Sequence, residues 1–292
     1  MVTTETQRVF TEKLSTLVQE EVRLKGWVYR LRLLGKTAFI ILRDCTGEAQ
    51  CVMGTEAVKE HKLKAEDVIE VLGTVRAEPR ARAGCEVDVS EIRVLNRAAQ
   101  SLPFQSSADV ESIGLDTLLE YRALSLRTQA VGDTFRIQAA ILGAFRDALN
   151  RRRFTEIITS KIVGSGTEGG SNLFEIKYFD RVAYLAQSPQ FYKEHGVAGL
   201  ERVYETGHVY RAEPHASSRH LTEYYSLDVE FGFIDGPEDV IQFERELLTD
   251  MFANLNEKHE ESIRKYRSDL LPSMLGVPCW EFDECLEILR AV

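Results

Sequence analysis

The sequence predicts an α+β chain of two modules, an N-terminal β-barrel followed by an antiparallel sheet flanked by helices. Three observations predict it. At 292 residues the chain exceeds one typical domain. Residues 22–95 hold five short β-rich segments separated by turn residues. Beyond residue 130, two stretches with apolar residues at helical spacing bracket a run of consecutive strand-like segments. That order suits an antiparallel sheet rather than a doubly wound parallel one.

The barrel strands, in order, are Val22–Leu31, Ala38–Arg43, Ala49–Met53, Val68–Val75 and Glu86–Leu95. Gly35, Asp44–Gly47 and Ala81–Gly84 supply turns, and Glu56–Leu63 is a single helical insert. Five strands with one helix fit a small Greek-key barrel of the OB type. Asn96–Ser112 is polar, contains Pro103 and Ser106–Ser107, and reads as a linker. Gly132–Arg153 then places Phe135, Ala139, Leu142, Phe145 and Leu149 at helical spacing, with Asp133 positioned to cap the start. Strands are expected at Phe154–Val163, Phe174–Phe179, Val182–Leu185, Val203–Arg211 and Tyr224–Phe233, and a closing helix at Pro237–Lys258. The expected divisions are 1–103 for the barrel, 104–130 for a hinge and 131–292 for the sheet domain.

Composition sets limits on function. Hydrophobic residues at 44% and charged residues at 28% are those of a globular chain. No apolar run approaches the roughly 18–20 residues that cross a bilayer. Met1–Val18 mixes Glu5, Arg8, Glu12 and Lys13 with isolated apolar positions, unlike a signal peptide, so a cytoplasmic location is expected. The five cysteines are odd in number, scattered, and never form CxxC, which argues against a disulfide framework or a zinc ribbon. Net charge is −10, but residues 1–100 carry 16 basic and 15 acidic side chains (net +1) while residues 101–292 carry 20 and 31 (net −11). An acidic whole is compatible with nucleic-acid binding through a separate, near-neutral module.

Several motif-like stretches fail on context. Gly164–Gly169 fits GxGxxG, but turn and strand follow where a dinucleotide site needs a helix N-terminus. Gly35-Lys36-Thr37 ends like a Walker A loop, yet Arg30 stands where its first glycine belongs. His215 and His220 lack a third ligand of the right type, and neither HExxH nor GxSxG occurs. The dense polar region is 203–233, where Arg211 and Glu213 are expected on one strand face, opposite Tyr224, Ser226, Asp228 and Glu230 on the next. Set among Tyr204, Val209, Tyr210, Leu227, Val229 and Phe231, those charges need partners. A nucleotide could supply them: guanidinium for phosphate, carboxylate for an amino group, ring for stacking.

These residues also carry a family resemblance. Val209-Tyr210-Arg211-Ala212-Glu213, followed by Ser218-Arg219-His220-Leu221-Thr222-Glu223, resembles motif 2 of the class II aminoacyl-tRNA synthetases. Thr167-Glu168-Gly169-Gly170 and Gln187-Ser188-Pro189-Gln190-Phe191-Tyr192-Lys193 resemble the aspartate-specific subgroup, in its archaeal-type branch. Gly26-Trp27-Val28, Phe39, Leu42-Arg43-Asp44, Gly47 and Gln50 follow that subgroup's anticodon-binding barrel. The similarity spans essentially the whole chain. It implies a ligase that activates L-aspartate with ATP and Mg2+ and passes the aspartyl group to tRNA(Asp), with tRNA(Asn) as a further acceptor, as a homodimer. By position, Arg211 would bind the α-phosphate and the substrate carboxylate, Glu213 the adenine amino group, and Arg219 and His220 the outer phosphates. Tyr224 would stack on adenine, with Ala212 and Leu221 in the same ATP site. Glu168, Gln190 and Asp228 would surround the substrate ammonium, with Ser188 beside them. Lys193 would meet the side-chain carboxylate, which favours aspartate over asparagine. In the barrel, Phe39 would stack an anticodon base, Gln50 bond its edge and Arg32 contact backbone or base.

The sequence departs from the family's pattern twice. Thr159-Ser160 stands where motif 1, which builds the dimer interface, has proline after its threonine. Nothing after Phe233 resembles motif 3 or the acidic residues that hold magnesium, and the chain stops within a segment that starts Val277-Pro278-Cys279-Trp280. It therefore reads as a C-terminally incomplete copy that would not complete the ATP site, with no metal ligands of its own. The alternatives are a tRNA-binding paralogue without catalysis, an asparagine–tRNA ligase, and an asparagine synthetase-like enzyme, whose relatives lack the barrel.

Overall fold

The structure is a computed structural model that describes residues 7–98, 102–167, 172–215, 217 and 220–290. The chain divides into two units, 1–134 and 135–292.

In the first unit, strands β1 (Glu21–Leu34), β2 (Thr37–Arg43), β3 (Glu48–Gly54), β4 (Val68–Ala77) and β5 (Cys85–Asn96) close a barrel in the order β1-β2-β3-β5-β4, with helix α1 (Thr55–Glu60) inserted after β3. Alternation explains the core: Ala38, Ile40 and Leu42 of β2 point inward and meet Val22, Leu24 and Val28 of β1 and Ile69 and Val71 of β4. The wall bends tightly enough that a Cβ on Gly26 would stand 2.3 Å from the Arg43 carbonyl oxygen, so only glycine fits there. β1 carries a bulge between Val28 and Arg30.

Residues 104–130, expected as a hinge, form short helical turns: Val110–Ser112, then α2 (Leu115–Glu120) and α3 (Arg122–Ser125). They are tied to the barrel through Glu66, which accepts from Arg127 at 2.8 Å and from the Ser106 hydroxyl, and lies 3.6 Å from Arg43. Arg43 in turn donates to the Arg127 carbonyl, and both guanidinium groups lie over the Trp27 ring. Burial pushes the Arg43 pKa down, and the Glu66 carboxylate offsets part of that.

The second unit begins within α4 (Gln129–Arg151). Its strands are β6 (Thr155–Glu156), β7 (Ile162–Val163), β8 (Glu175–Tyr178), β9 (Arg181–Leu185), β10 (Arg202–Tyr210) and β11 (Glu223–Phe231). Helix α5 (Gln190–Leu200) precedes β10; α6 (Pro237–Tyr266) and α7 (Phe282–Arg290) follow β11. One sheet has the order β11-β10-β6 and the other β7-β9-β8; all pairs are antiparallel except β10 with β6. The core packs α4 and α6 on one face of the first sheet through Phe145, Ala148, Leu149, Tyr204, Leu247 and Met251. The Phe145 and Tyr204 rings meet edge-on at 5.7 Å.

Four expectations need correction. α4 starts at Gln129, so Asp133 is buried inside the helix and does not cap it. The buried stripe of α4 runs through Ala144, Phe145, Ala148 and Leu149, while Phe135 remains 45% exposed. The single strand expected at Phe154–Val163 is two separate pairs, β6 and β7, because the backbone between them turns to deliver Thr159 to Glu205. Finally, α6 continues past Lys258 to Tyr266 through a non-helical residue, His259.

The buried carboxylate of Asp44 organises the barrel's β2–β3 turn. It accepts from the Thr11 amide and hydroxyl, both at 2.8 Å, and from the Thr46 amide (2.8 Å), the Thr46 hydroxyl (2.7 Å) and the Gly47 amide (3.1 Å). Burial works against ionisation here, but the bonds from Thr46 and Thr11 hold the pKa below its ordinary value. A depressed carboxylate stabilises the fold fully above its unfolded pKa of about 3.9 and loses that contribution as pH falls through the lower folded pKa. Asp44→Ala is expected to cost about 3 kcal/mol in urea unfolding at neutral pH. Asp44→Asn should flatten the loss of stability below about pH 4, read by the same titration at stepped pH.

Candidate active site

The site is built on β10 and β11, whose register pairs Val203 with Glu230, Glu205 with Asp228, Gly207 with Ser226 and Val209 with Tyr224. Directly opposed residues share a face, so these eight form one surface. The opposite surface pairs Tyr204 with Val229, which lie against the core. Glu205, Tyr224, Ser226, Asp228 and Glu230 therefore lie on the side away from Tyr204 and Val229.

Lys193 comes to this floor from α5. Only 5% exposed, its Nζ stands 3.2 Å from Asp228 Oδ1 and 3.4 Å from Glu230 Oε2. Ser226 Oγ donates to the other oxygen of Asp228 at 2.5 Å. Gln190 Nε2 donates to Glu194 at 3.0 Å and lies 3.4 Å from Glu230. The structure thus brings Lys193, Asp228 and Gln190 together, with Glu230 as an additional member. Ser188 is buried just before α5, where its hydroxyl accepts from the Gln190 amide at 3.2 Å and its carbonyl accepts from the Thr167 hydroxyl at 3.1 Å. The buried Gln187 carboxamide accepts from the Thr167 amide at 3.3 Å. These bonds hold Thr167 beside the start of α5. Glu168, assigned to the substrate ammonium, lies outside the described residues, as does Arg219.

Arg211 and Glu213 are not strand residues. The ladder ends at the Tyr210–Glu223 pair, and both follow in the connection that leaves the sheet. Arg211 is held by its amide on the Thr222 carbonyl at 2.9 Å, and Ala212 by its amide on the Asn172 carbonyl at 3.0 Å. The Arg211 guanidinium lies 6.0 Å from the Tyr224 ring centroid, so cation and ring share the upper end of the floor. Burial, then the Glu223 carboxylate, pushes the neighbouring Tyr210 phenol up. His220 and Leu221 are exposed in the connection, where Ser217 Oγ and His220 Nδ1 stand 2.6 Å apart and the His215 ring lies 5.2 Å from that of His220. Among the described residues there is no group of three or more His, Cys, Asp or Glu that could hold a metal ion.

Sequence reasoning missed Glu205. Cross-strand from Asp228 and 3% exposed, it pairs with Lys161 Nζ at 2.8 Å and accepts from the Thr159 amide (3.1 Å) and hydroxyl (2.7 Å). The available signal was a carboxylate between Tyr204 and Thr206 in an apolar strand, which must find a partner.

On the first unit, Arg32 pairs in register with Phe39, and Gln50 with Ile41, so all three candidate nucleic-acid contacts lie on the barrel's outward face. Phe39 is half-buried between the inward Ala38 and Ile40, and Gln50 Nε2 donates to Glu86 at 2.8 Å.

A family model described as "tRNA synthetases class II (D, K and N)" matches residues 114–289, and one described as "OB-fold nucleic acid binding domain" matches residues 22–95. The aspartate–tRNA(Asp/Asn) ligase of Deinococcus radiodurans is 43% identical, over 85% of this chain and 56% of the relative. That of Methanopyrus kandleri is 41% identical, over 92% of this chain and 64% of the relative. The chain thus spans less than two thirds of the length of these curated relatives. Among solved structures, asparaginyl-tRNA synthetase from Pyrococcus horikoshii complexed with asparaginyl-adenylate superposes with a TM-score of 0.88 at 32% identity, covering 98% of this chain and 67% of that one. Aspartyl tRNA synthetase from Entamoeba histolytica does so with a TM-score of 0.80 at 27% identity, covering 99% and 64%.

Removing one partner of a buried ion pair strands the other. Glu205→Ala is expected to lower the unfolding free energy by about 3 kcal/mol, the low end for such pairs because Lys161 is a quarter exposed. Chemical denaturation checks this, and Lys161→Met in the same background should restore part of the loss.

Proposed function

This chain belongs to the class II tRNA synthetases of the D, K and N group, and from that premise we propose that it serves an aspartate–tRNA ligase. The reaction is ATP-dependent activation of L-aspartate, then transfer of the aspartyl group to tRNA(Asp), with tRNA(Asn) as a second acceptor. The observation that carries this reading is the buried Lys193 ammonium between Asp228 and Glu230 on the sheet floor. One cation with two anions complements a zwitterion that also carries a side-chain carboxylate: the β-carboxylate meets Lys193, and the α-ammonium meets Asp228 and Gln190. An asparagine carboxamide offers Lys193 no counter-charge. The names of the relatives from Deinococcus and Methanopyrus support the same amino acid and both acceptors.

In the first step an α-carboxylate oxygen of aspartate attacks the α-phosphorus of ATP. That bond forms as the bond from the α-phosphorus to the bridging oxygen breaks, and pyrophosphate leaves with the electron pair. Arg211 would offset charge on the α-phosphoryl oxygens and hold the carboxylate in line. Tyr224 would stack on adenine and Glu213 accept its amino hydrogens, with Ala212 and Leu221 beside the nucleotide and His220 and Arg219 at the outer phosphates. Glu168 and Ser188 would complete the aspartate side. In the second step the hydroxyl of the 3′-terminal adenosine of tRNA attacks the acyl carbon, the bond from that carbon to the phosphate oxygen breaks, AMP leaves with the electron pair, and the hydroxyl proton passes to the departing phosphate or to water. No protein nucleophile takes part. Arg32, Phe39 and Gln50 would read the anticodon by stacking and edge hydrogen bonds. The setting proposed is a cytoplasmic homodimer.

A second reading, an asparagine–tRNA ligase, is favoured by one observation, the likeness to a synthetase that holds asparaginyl-adenylate. The two separate in a binding experiment that needs no turnover. Calorimetry with sulfamoyl analogues of the two adenylates should show the aspartyl compound binding at least tenfold more tightly. Lys193→Ala should weaken it by about 30-fold or more, the loss expected on truncating one partner of a buried charge pair, and should leave the asparaginyl analogue nearly unchanged. Tighter binding of the asparaginyl compound by the parent chain would select the second reading. ATP–pyrophosphate exchange should depend on aspartate.

A further inference from the structure

A cleft of about 420 Å³ opens on the second unit, lined by Arg151, Arg152, Arg153, Leu200, Glu201 and Arg202. It lies where α4 and α5 end and β10 begins. Arg202 opens β10 and Arg211 follows its last residue, so the cleft stands about 30 Å from the Arg211 end of the floor at the ~3.3 Å rise of a strand residue. It is therefore separate from the nucleotide end of the candidate active site.

Four guanidinium groups gather here in a part of the chain whose net charge is −11 over residues 101–292. Their internal partners are too few. Asp250 takes Arg152 at 2.7 Å and Arg151 at 3.4 Å, and Glu201 takes the Nε of Arg202 at 3.2 Å. The Arg153 guanidinium has no hydrogen-bond or ion-pair partner among the described residues, its amide alone donating to the Asn150 carbonyl at 3.1 Å. Two carboxylates against four guanidinium groups leave an excess of two positive charges around one opening. Arg202 is further held over the Phe154 ring at 5.7 Å, which orients its fork.

The backbone explains how the cleft gathers these residues. Arg153 (φ +63°) and Glu201 (φ +67°, ψ −45°) both have a positive φ, which is uncommon for side chains other than glycine, asparagine and aspartate. Each ends a helix: the Arg153 and Phe154 amides donate to Asn150 and Leu149 at the close of α4, and the Glu201 amide donates to Val197 at the close of α5. The two helix ends thus bring both charged residues to the lining of one cleft.

We propose that this cleft binds phosphate groups, presented by an RNA backbone or by a free oligophosphate. Guanidinium forks match phosphate oxygens two at a time, and a phosphate chain supplies the repeated negative charge that a lone carboxylate cannot. The inference goes beyond the ligase reading: a chain that activated no amino acid would still bind phosphate here.

The test uses the whole chain and two probes, inorganic tripolyphosphate and a short RNA hairpin, titrated at several salt concentrations. Arg151→Ala with Arg153→Ala should weaken binding by about tenfold and lower the slope of log affinity against log salt by about 2 for the hairpin. Binding of the aspartyl-adenylate analogue should stay as in the parent. Glu201→Gln, which removes a competing carboxylate and keeps its shape, should tighten binding about threefold. Loss for the hairpin alone identifies RNA as the source of the phosphates, and loss for tripolyphosphate alone a free oligophosphate. Unchanged affinity for both probes in the arginine variant overturns the proposal. Should that variant fail to fold, unchanged affinity in Glu201→Gln overturns it equally.

Discussion

The register of β10 against β11 is the constraint on which the candidate site depends. Side chains alternate between the faces of a strand, so a slip of one residue would send Asp228 and Glu230 into the helical core and turn Val229 and Phe231 outward. Interactions of opposite chemistry hold the register from both sides. On the core face, Tyr204 packs edge-on to Phe145, with its hydroxyl 3.3 Å from both Asn150 and Glu156. On the site face, the adjacent Glu205 is captured by Lys161 and Thr159. A slipped strand would lose the aromatic packing and bury an uncompensated carboxylate at once.

The same pairing prepares the site for a charged ligand. Ions on a half-buried floor are expensive unless they are paired, and pairing also holds them in place. Lys193 is held by two carboxylates, one of which is steadied by the Ser226 hydroxyl. A ligand that brings its own carboxylate and ammonium meets groups already aligned, and little ordering is left to be done on binding. Arg211 and Tyr224 sit at the other end of that surface, where the connection leaves the sheet. The floor thus has a small charged end and an end with a cation over a ring.

Much of this was legible in the sequence, for physical reasons that differ by element. The barrel strands read clearly because one face of each is buried, so polarity alternates with a period of two and turn residues mark the ends. The strands of 203–233 read for the same reason. Ile157-Ile158-Thr159 misled, because a β-branched run has strand propensity whatever its backbone pairs with, and here Thr159 is drawn out to Glu205. Phe135 misled because helical spacing says which residues share a face but not where along α4 the core begins. The Lys161–Glu205 pair was invisible because its members are 44 positions apart and meet only when β10 has formed. Lys193 and Asp228, 35 apart, were singled out together only through resemblance to a family.

The outward face of the barrel shows how one surface can divide between structure and recognition. Phe39, Ile41 and Arg43 alternate with the inward Ala38, Ile40 and Leu42, so the core is complete without the Phe39 ring. At one end of this row Arg43 is committed: it lies beside Glu66, donates to the Arg127 carbonyl and covers Trp27 and Tyr29. At the other end Arg32 has no such partner among the described residues and stands directly opposite Phe39. A flat ring beside an uncommitted guanidinium on an exposed sheet can take a nucleic-acid base on the ring and its phosphate on the cation. The same cation type that clamps residues 104–130 to the barrel at one end has no such partner among the described residues at the other. What separates the two roles is the buried carboxylate of Glu66, which exists at only one end of the row.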